Sequence, residues 1–334
     1  MSKLNRREFI GTAIVAAGAL TAGAAAVQST RGGGTEVGAT REGGVEGARA
    51  AGFAVAPGLT VDASVKSPTD RVRLGRSGLQ VSLVGVGTGT IGYAGHSNQT
   101  HLGQEEFTRL LRHAFDRGIN FFDLADAYGS HPFFRAAMKG VPRDQLVIQT
   151  KTDSRDPREA AEDVDRFLSE LGTDYIDSLI VHCVTESDWT TSYRGVLDAF
   201  SDAKRRGKVR AVGVTCHSFG ALRTAAASDW VEINQVRWNP RGAHMDAEVE
   251  TARALFRQMR ARGQGMIGMK VVGQGDLLEG RRAASPEECF RFQIESGVVD
   301  AFVVGVEKVE HVDRLITGTQ LALDELGYRT VTTA

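Results

Sequence analysis

Four polar residues end or follow apolar runs in the middle of this sequence, and together their side chains could move a proton. Asp123 and Tyr128 lie in INFFDLADAY, Lys151 ends LVIQTK, and His182 ends YIDSLIVH. An apolar strand that ends in Lys or His places a costly polar group where core packing does not require one. An ammonium beside a phenol favours phenolate and so lowers the pKa of the phenol. We therefore predict that Tyr128 and Lys151 form a proton-transfer pair.

Each of these residues also has a structural interpretation. Asp123 could cap a loop, with Asp126 as a rival for the same partner. Tyr128 could close the end of a barrel, and Lys151 and His182 could belong to an ion-pair network. The four residue types occur together at strand ends, and this combination favours a functional site over four separate structural roles.

The elements that would position these residues alternate between strand and helix. VRLGRSGLQVS at 72–82 predicts a hairpin that turns at Gly75–Gly78. Eight β-rich runs then each precede a helical pattern: SLVGVG, INFFDLA, LVIQTK, YIDSLIVH, VRAVGVT, VEINQV, MIGMKVV and 301–304. Eight such units in roughly 250 residues predict a closed (β/α)8 TIM barrel. An open Rossmann sheet is disfavoured because no G-x-G-x-x-G follows the first strand.

The strings around these residues resemble those of the aldo-keto reductase family. GINFFDLADAYGS at 118–130, QTK at 149–151 and LIVHC at 179–183 are similar to the family's active-site segments. GKVRAVGVT at 207–215 and NQVRWNP at 234–240 add to the likeness, which extends from about residue 72 to 316. The resemblance implies an NAD(P)-dependent oxidoreductase that interconverts a carbonyl compound, such as an aldehyde, ketone or sugar, and an alcohol.

The resemblance also implies a role for each residue of the catalytic group. Hydride transfer to a carbonyl leaves negative charge on oxygen, which a nearby acid must neutralise. Tyr128 would be that acid, and Lys151 would lower its pKa. Asp123 would hold Lys151 in place, while His182 would orient and polarise the carbonyl.

A nicotinamide cofactor, NADP or NAD, would lie across the barrel mouth. Its expected contacts at the nicotinamide end are Thr215, Cys216, His217, Gln235, Met269 and Lys270. Cys216 stands where the family often has Asn, and Met269 replaces an aromatic ring that stacks on the nicotinamide. At the adenosine end, Lys308 and Arg314 could hold a phosphate that Glu307 would repel. The choice between NADP and NAD therefore stays open.

Composition excludes other classes of partner and site. The chain has 334 residues and a formal net charge of −1, so it lacks the basic field that nucleic acid requires. Its three cysteines have neither zinc-site spacing nor the even number of a complete disulfide framework. A metal site of His182 and His217 has no carboxylate at a suggestive spacing, so we predict no metal.

The amino terminus has the pattern of an export signal. Arg6 and Arg7 precede an uncharged, Ala-rich stretch at 11–26 that contains A-x-A sequences, similar to a twin-arginine signal. We predict a signal at 1–26, a flexible linker at 27–70 and the barrel at 71–334, with export to the periplasm or another extracytoplasmic space. The partners would be the export machinery and, only if the signal is retained, the membrane. A retained cofactor would reconcile export with nicotinamide chemistry.

Two other functions use the same barrel. Lys151 could act as a base or Schiff-base amine in a lyase or isomerase, or the barrel could bind a small ligand without catalysis. The substrate pocket would depend on the loops GYAGHSNQTHLG and GQGDLLEGRR, whose conformations the sequence does not determine.

Overall fold

The computed structural model describes residues 64–281 and 283–328. The predicted export signal and residues 27–63 of the predicted linker lie outside the described residues. Residues 64–70 pack onto the barrel: Val65 is buried, the Pro68 carbonyl accepts from the Val84 amide at 3.1 Å, and the Lys66 carbonyl accepts from Gln320 Nε2 at 3.0 Å. Packing against the barrel therefore begins a few residues before the predicted boundary at residue 71.

A β-hairpin precedes the barrel, as predicted. Strands β1 (Arg71–Arg73) and β2 (Gln80–Ser82) pair antiparallel across a 3-10 turn that ends at Gly78 in the left-handed region (φ 72°). From the turn, the Arg76 guanidinium donates to the Val231 carbonyl at 2.7 Å, and the Arg76 amide donates to the Gly263 carbonyl at 2.7 Å. Each acceptor lies two residues before the start of a barrel strand, so the hairpin covers the amino-terminal end of the barrel.

Eight parallel strands close into a barrel, which confirms the predicted (β/α)8 architecture. Each strand pairs with the next one along the chain, and the last pairs with the first. Most strand residues are buried, as expected for a parallel sheet that is covered on its outer face by helices and filled by side chains within. The strands are β3 (Val84–Gly87), β4 (Phe121–Asp123), β5 (Val147–Thr152), β6 (Ile176–Val184), β7 (Val209–Cys216), β8 (Ile233–Arg237), β9 (Gly265–Met269) and β10 (Ala301–Gly305).

Local signals account for the helices, and α4 (Pro157–Leu171) shows how. The Asp156 side chain accepts hydrogen bonds from the first-turn amides, Pro157 occupies the first turn, and Gly172 ends the helix in the left-handed region. The other helices are α1 (Asn98–His101), α2 (Gly103–Asp116), α3 (His131–Ala137), α5 (Trp189–Ser192), α6 (Arg194–Arg205), α7 (Phe219–Ala227), α8 (Val249–Ala261), α9 (Pro286–Ser296) and α10 (Val309–Glu325). Among the helices of the described ranges, none has both the length and the apolar character needed to cross a bilayer.

Candidate active site

The strand order brings the four predicted catalytic residues to the carboxyl-terminal mouth of the barrel. Asp123 ends β4, Lys151 lies near the end of β5, and His182 lies near the end of β6. Tyr128 follows β4 on a short 3-10 turn, Asp126–Tyr128. Because β4, β5 and β6 are consecutive neighbours, residues distant in sequence share one small volume.

Asp123 is the centre of a closed hydrogen-bond network. Its Oδ1 accepts from Lys151 Nζ at 2.5 Å and from Gln149 Nε2 at 2.8 Å, and its Oδ2 accepts from Gln235 Nε2 at 2.9 Å. Lys151 Nζ also donates to the Leu124 carbonyl at 2.7 Å. The side chains of Lys151 and Asp123 are only 1% and 7% exposed. The buried charges are therefore paired and hydrogen-bonded, as burial requires.

The Tyr128 ring has glycine backbone on one side and Lys151 nearby. A Cβ on Gly89 or Gly92, which lie in the loop after β3, would overlap the ring of Tyr128. The Lys151 ammonium lies 5.0 Å from the centroid of the same ring. Small residues in this loop therefore determine how close the backbone comes to the phenol.

The pKa of Tyr128 differs from the prediction. Burial raises this pKa well above its usual value of 10.0, and the nearby carboxylate of Asp123 raises it further. Burial also lowers the pKa of Lys151, although Asp123 opposes that shift. The net shift is opposite to the predicted lowering, because burial and the Asp123 carboxylate both favour the neutral phenol. Tyr128 is thus a protonated donor at neutral pH.

His182 joins Tyr128 to a more exposed carboxylate. Its Nε2 lies 3.4 Å from Tyr128 Oη, and its Nδ1 lies 3.0 Å from Asp153 Oδ1. Arg155 Nη2 donates to the His182 carbonyl at 2.6 Å. The His182 side chain is 8% exposed, whereas that of Asp153 is 50% exposed. One face of the predicted catalytic group therefore opens towards solvent.

Thr215 and Gln235 carry polar atoms that suit a carboxamide. Thr215 Oγ1 and Gln235 Oε1 are both buried and have no hydrogen-bond partner among the described residues. An unpartnered buried polar atom costs free energy, which an amide group placed between β7 and β8 would recover. This pair fits the nicotinamide end of a dinucleotide.

The remaining nicotinamide-end candidates differ in accessibility. Met269 is partly buried at the end of β9, and Lys270 Nζ donates to Gln274 Oε1 at 2.7 Å. Cys216 is fully buried within the apolar core, where burial raises the pKa of its thiol. Burial lowers the pKa of His217 to about 3, so its imidazole is neutral. Of these four, Cys216 is the least available to a ligand.

The adenosine-end candidates lie around the start of α10. Lys308 is exposed at the residue before this helix. Arg314 forms an ion pair with Glu287 of α9, with Nε 2.7 Å from Oε1. Glu307 accepts a hydrogen bond from Asn98 Nδ2 at 2.8 Å. The charge of Arg314 is therefore already balanced, and Lys308 is the freer cation for a phosphate.

The structure places more potential metal ligands near His182 than the sequence spacing indicated. Asp153, His182 and Cys183 present potential ligand atoms within 4.8 Å of one another, and Cys183 Sγ lies 3.8 Å from His217 Nε2. A carboxylate is thus present beside His182. Burial and the Asp153 carboxylate raise the pKa of the Cys183 thiol to about 11, which disfavours the thiolate that a metal ion would require. The absence of a metal stays a prediction.

Sequence reasoning missed several residues of this site. Gln149 and Asp153 lie two residues before and after Lys151, so the period of two along an extended strand could have identified them. Cys183, next to His182, adopts a left-handed conformation (φ 52°) unusual for a residue with a Cβ. A conformation of this kind cannot be recognised from residue type alone.

Comparison with known proteins identifies the family. The model of the aldo/keto reductase family matches residues 84–291. L-galactose dehydrogenase of Arabidopsis thaliana is 29% identical over 217 residues, covering 62% of this chain and 66% of that protein. NADH-specific methylglyoxal reductase of Escherichia coli is 24% identical over 202 residues, covering 54% of this chain and 62% of that protein. The chain therefore matches less than two thirds of the length of either relative.

Solved structures show the same fold at low identity. An aldo-keto reductase of Bacillus halodurans in its holo form has a TM-score of 0.61 at 18% identity, covering 79% of this chain and 98% of that one. An aldo/keto reductase of Klebsiella pneumoniae in complex with NADP and acetate has a TM-score of 0.56 at 19% identity, covering 79% and 98%. With the barrel, the strand-end residues and the family match in agreement, this chain belongs to the aldo/keto reductase family.

Proposed function

We propose that this protein is an NAD(P)-dependent oxidoreductase that interconverts a carbonyl compound and an alcohol, with Tyr128 as the general acid and base. The position of the Tyr128 hydroxyl supports this most directly. Its oxygen lies 3.4 Å from His182 Nε2, and the Lys151 ammonium lies 5.0 Å from its ring centroid. A proton donor, a cation and an imidazole thus meet where a carbonyl oxygen would gain charge.

The residues divide the proton chemistry between them. A bound nicotinamide would supply the hydride. Tyr128 would donate its hydroxyl proton to the oxygen of the reduced substrate, and its raised pKa keeps that proton in place at neutral pH. The Lys151 ammonium would stabilise the phenolate left behind, while Asp123 holds Lys151. In the direction of oxidation, the same phenolate would take the proton from the alcohol.

The cofactor would be NADP or NAD, held by the buried polar atoms of Thr215 and Gln235 and by Lys308. Solved relatives contain NADP, and one curated relative is named as specific for NADH. Arg314 is paired with Glu287 and would contribute to phosphate binding only if this pair opened. Fluorescence titration with NADH and NADPH measures the preference directly, and binding of neither nucleotide would refute the proposal.

The printed names of two relatives support a substrate class for this proposal. L-galactose dehydrogenase and methylglyoxal reductase are named for a sugar and a small dicarbonyl. We propose a small carbonyl or sugar substrate for this chain. The test uses a panel of compounds in both directions of the reaction. Reduction is measured with NAD(P)H and aldoses, methylglyoxal or simple aldehydes, and oxidation is measured with NAD(P)+ and L-galactose.

The first variant to test is Tyr128→Phe. We expect its kcat to fall about 10²- to 10⁴-fold while nucleotide affinity is retained, because only the proton donor is removed. Tyr175→Phe is the matched control, since Tyr175 precedes β6 at the opposite end of the barrel and stacks against Arg143. Unchanged turnover of Tyr128→Phe would show that another group supplies the proton.

The structure disfavours the lyase or isomerase alternative. A Schiff-base lysine needs a free amine that the substrate can reach, whereas Lys151 Nζ is enclosed by Asp123 and the Leu124 carbonyl. Borohydride trapping with each substrate of the panel tests this alternative. The non-catalytic alternative predicts nucleotide or ligand binding with no turnover anywhere in the panel.

We propose export of the folded protein through its twin-arginine-like amino terminus, with a nucleotide that is retained through cycles of oxidation and reduction. The support is the pattern of residues 1–26. Mass spectrometry of nucleotide released from the exported protein tests retention, and Arg6→Lys combined with Arg7→Lys tests the route. A variant exported as well as the wild type would argue against that route.

A further inference from the structure

We infer that Arg155 is a positioning residue, which holds a bulge in β6 and thereby sets the place of the His182 imidazole relative to Tyr128. The catalytic consequence of this inference rests on the proposed function, in which His182 orients the carbonyl of the substrate. Its structural basis is a hydrogen bond of 2.6 Å from Arg155 Nη2 to the His182 carbonyl.

The bulge lies where β6 reaches the mouth of the barrel. Val181 and Val184, three residues apart on β6, pair with residues of β7 that are only two apart. Within this stretch, Cys183 adopts the left-handed conformation (φ 52°), which costs free energy for a residue with a Cβ. A bulge bends its strand and redirects the side chains beside it. The backbone here therefore determines where the ring of His182 lies.

Arg155 supplies a hydrogen-bond donor at the point where strand pairing is interrupted. In a regular parallel sheet, backbone carbonyls accept from amides of the neighbouring strand. The register shift breaks this pattern between Val181 and Val184, and the His182 carbonyl in that interval accepts from Arg155. Beyond the bulge, the His217 amide donates to the Val184 carbonyl at 2.7 Å. The guanidinium thus stabilises the irregular part of β6.

The guanidinium is itself held on its other sides. Arg155 Nη1 donates to the Asp153 carbonyl at 3.0 Å, and Cζ lies 4.8 Å from the centroid of the buried Tyr193 ring. The donors of a guanidinium form a planar fork, so these contacts also fix the direction of Nη2. Arg155 therefore joins the loop after β5, the bulge of β6 and the segment before α6.

The position of the bulge is transmitted to the proposed proton donor. His182 Nε2 lies 3.4 Å from Tyr128 Oη, and the two rings meet edge-on at 5.6 Å between centroids. Asp153 Oδ1, in the segment that Arg155 braces, lies 3.0 Å from His182 Nδ1. A displacement of about 1 Å at an orienting group can cost about 10²-fold in rate. Arg155 should therefore affect the reaction through the place of the imidazole.

The pair of Lys151 and Asp123 has separate supports. Asp123 accepts from Gln149 Nε2 at 2.8 Å and from Gln235 Nε2 at 2.9 Å. These side chains belong to β4, β5 and β8, whereas Arg155 contacts the bulge of β6. Loss of Arg155 should thus change the orientation of a carbonyl and leave the buried ion pair in place.

A test of position that needs no activity comes first. In the full-length protein labelled with 15N-histidine, the signals of His182 are assigned by their loss in His182→Ala. We expect these signals to shift in Arg155→Ala. Added guanidinium ion, below denaturing concentrations, should return them towards the wild-type values because it can donate to the same carbonyl. Sodium chloride at equal ionic strength should not do so, and unchanged signals in folded Arg155→Ala would overturn the inference.

Kinetics give the functional consequence. For Arg155→Ala we expect kcat/KM for the carbonyl to fall roughly 10- to 100-fold with unchanged nucleotide affinity. Guanidinium ion should restore part of the loss, and Arg155→Lys should retain more activity than Arg155→Ala because an ammonium can still donate. Arg135→Ala is the matched control, since Arg135 Nη1 donates to the Ser169 carbonyl at 3.2 Å on the outer helices. It should keep wild-type kinetics with and without guanidinium.

A double variant shows whether Arg155 acts through His182. If it does, Arg155→Ala should cause little further loss of kcat/KM in a protein that already carries His182→Ala. Losses that multiply in the double variant would mean that Arg155 acts on the substrate directly, and the inference would be wrong.

The outcomes separate this inference from the proposed function. A wild type that turns over no carbonyl with either nucleotide refutes the proposed function, while the histidine signals still decide the role of Arg155. Wild-type kcat/KM for Arg155→Ala in an active enzyme refutes the positioning role alone. If Arg155→Ala does not fold, Arg155→Met replaces it in both measurements, because its stem can still pack against Tyr193 while all donors are lost.

Discussion

Two buried aspartates lie at opposite ends of the barrel, and their partners differ. Asp177, at the start of β6, pairs with Arg143 and Arg210 and accepts from the Ile148 amide. Asp123, at the mouth, pairs with Lys151 and two glutamines. The arginine side chains are 22% and 52% exposed, whereas that of Lys151 is 1% exposed.

The difference separates cations that reach water from a cation that is enclosed. The Asp177 cations can reach water if the carboxylate is lost, so the desolvation penalty there is small. Lys151 cannot reach water, and its enclosed charge persists only because Asp123 balances it. The amino-terminal end of the barrel, which the hairpin covers, leaves its cations partly in water, whereas the mouth encloses a cation near Tyr128.

The largest effect should come from breaking the pair at the mouth. Asp123→Asn leaves Lys151 buried without a counter-charge, so we expect the free energy of unfolding to fall by about 3–5 kcal/mol. We also expect kcat to fall by about 10²-fold or more, because Lys151 loses its position. Urea unfolding and steady-state kinetics measure the two effects separately.

Asp177→Asn is the matched change at the other end. Because charged hydrogen bonds are lost, the free energy of unfolding should fall by about 1.5–3 kcal/mol, while kcat per folded molecule stays unchanged. Equal losses of activity in the two variants would mean that the mouth is no more sensitive to charge than the amino-terminal end.

Two glycines provide a second comparison between the ends. Gly89→Ala would place a Cβ against the Tyr128 ring, and Gly75→Ala would place one against the backbone of residues 263–265. We expect each to lower stability by about 1–3 kcal/mol through overpacking. Only Gly89→Ala should also reduce kcat, by roughly tenfold, because it displaces the phenol. Wild-type kcat in folded Gly89→Ala would show that the ring position is not critical.

The smallest effect on stability is expected from α4, a helix that is joined by a hydrogen bond to the turn that carries Tyr128. Arg166 bonds both Asp126 and Glu170, and Glu170 Oε2 lies 2.7 Å from His131 Nδ1. The hydrogen bond from His131 lowers the pKa of Glu170 below its usual 4.5, with Arg166 contributing and burial opposing. Because the pKa of Glu170 is depressed in the folded state, the stability that its ionised form contributes is complete above pH 4.5. This stability is lost as the pH falls through the folded pKa.

Glu170→Gln should reduce the loss of stability on acidification. The urea midpoint measured between pH 6 and pH 3 should fall less steeply in this variant than in the wild type. Glu295→Gln, at an exposed glutamate of α9, is the control and should follow the wild-type curve. Identical slopes for all three proteins would show that Glu170 does not contribute.

The sequence by itself determined the order of elements, the hairpin, the closed barrel and the convergence of Asp123, Tyr128, Lys151 and His182. Apolar periodicity identifies each strand, and a parallel barrel places consecutive strand ends side by side. Residue type and strand order are sufficient for that inference.

Only the tertiary structure decided the chemical state of these groups. The raised pKa of Tyr128 depends on burial and on the distance to Asp123, the pairing of Arg314 depends on how α10 packs against α9, and the place of Asp153 depends on the path of the chain after β5. Desolvation and Coulomb energies vary with distances of a few ångströms between segments far apart in sequence. A linear pattern of residue types does not contain those distances.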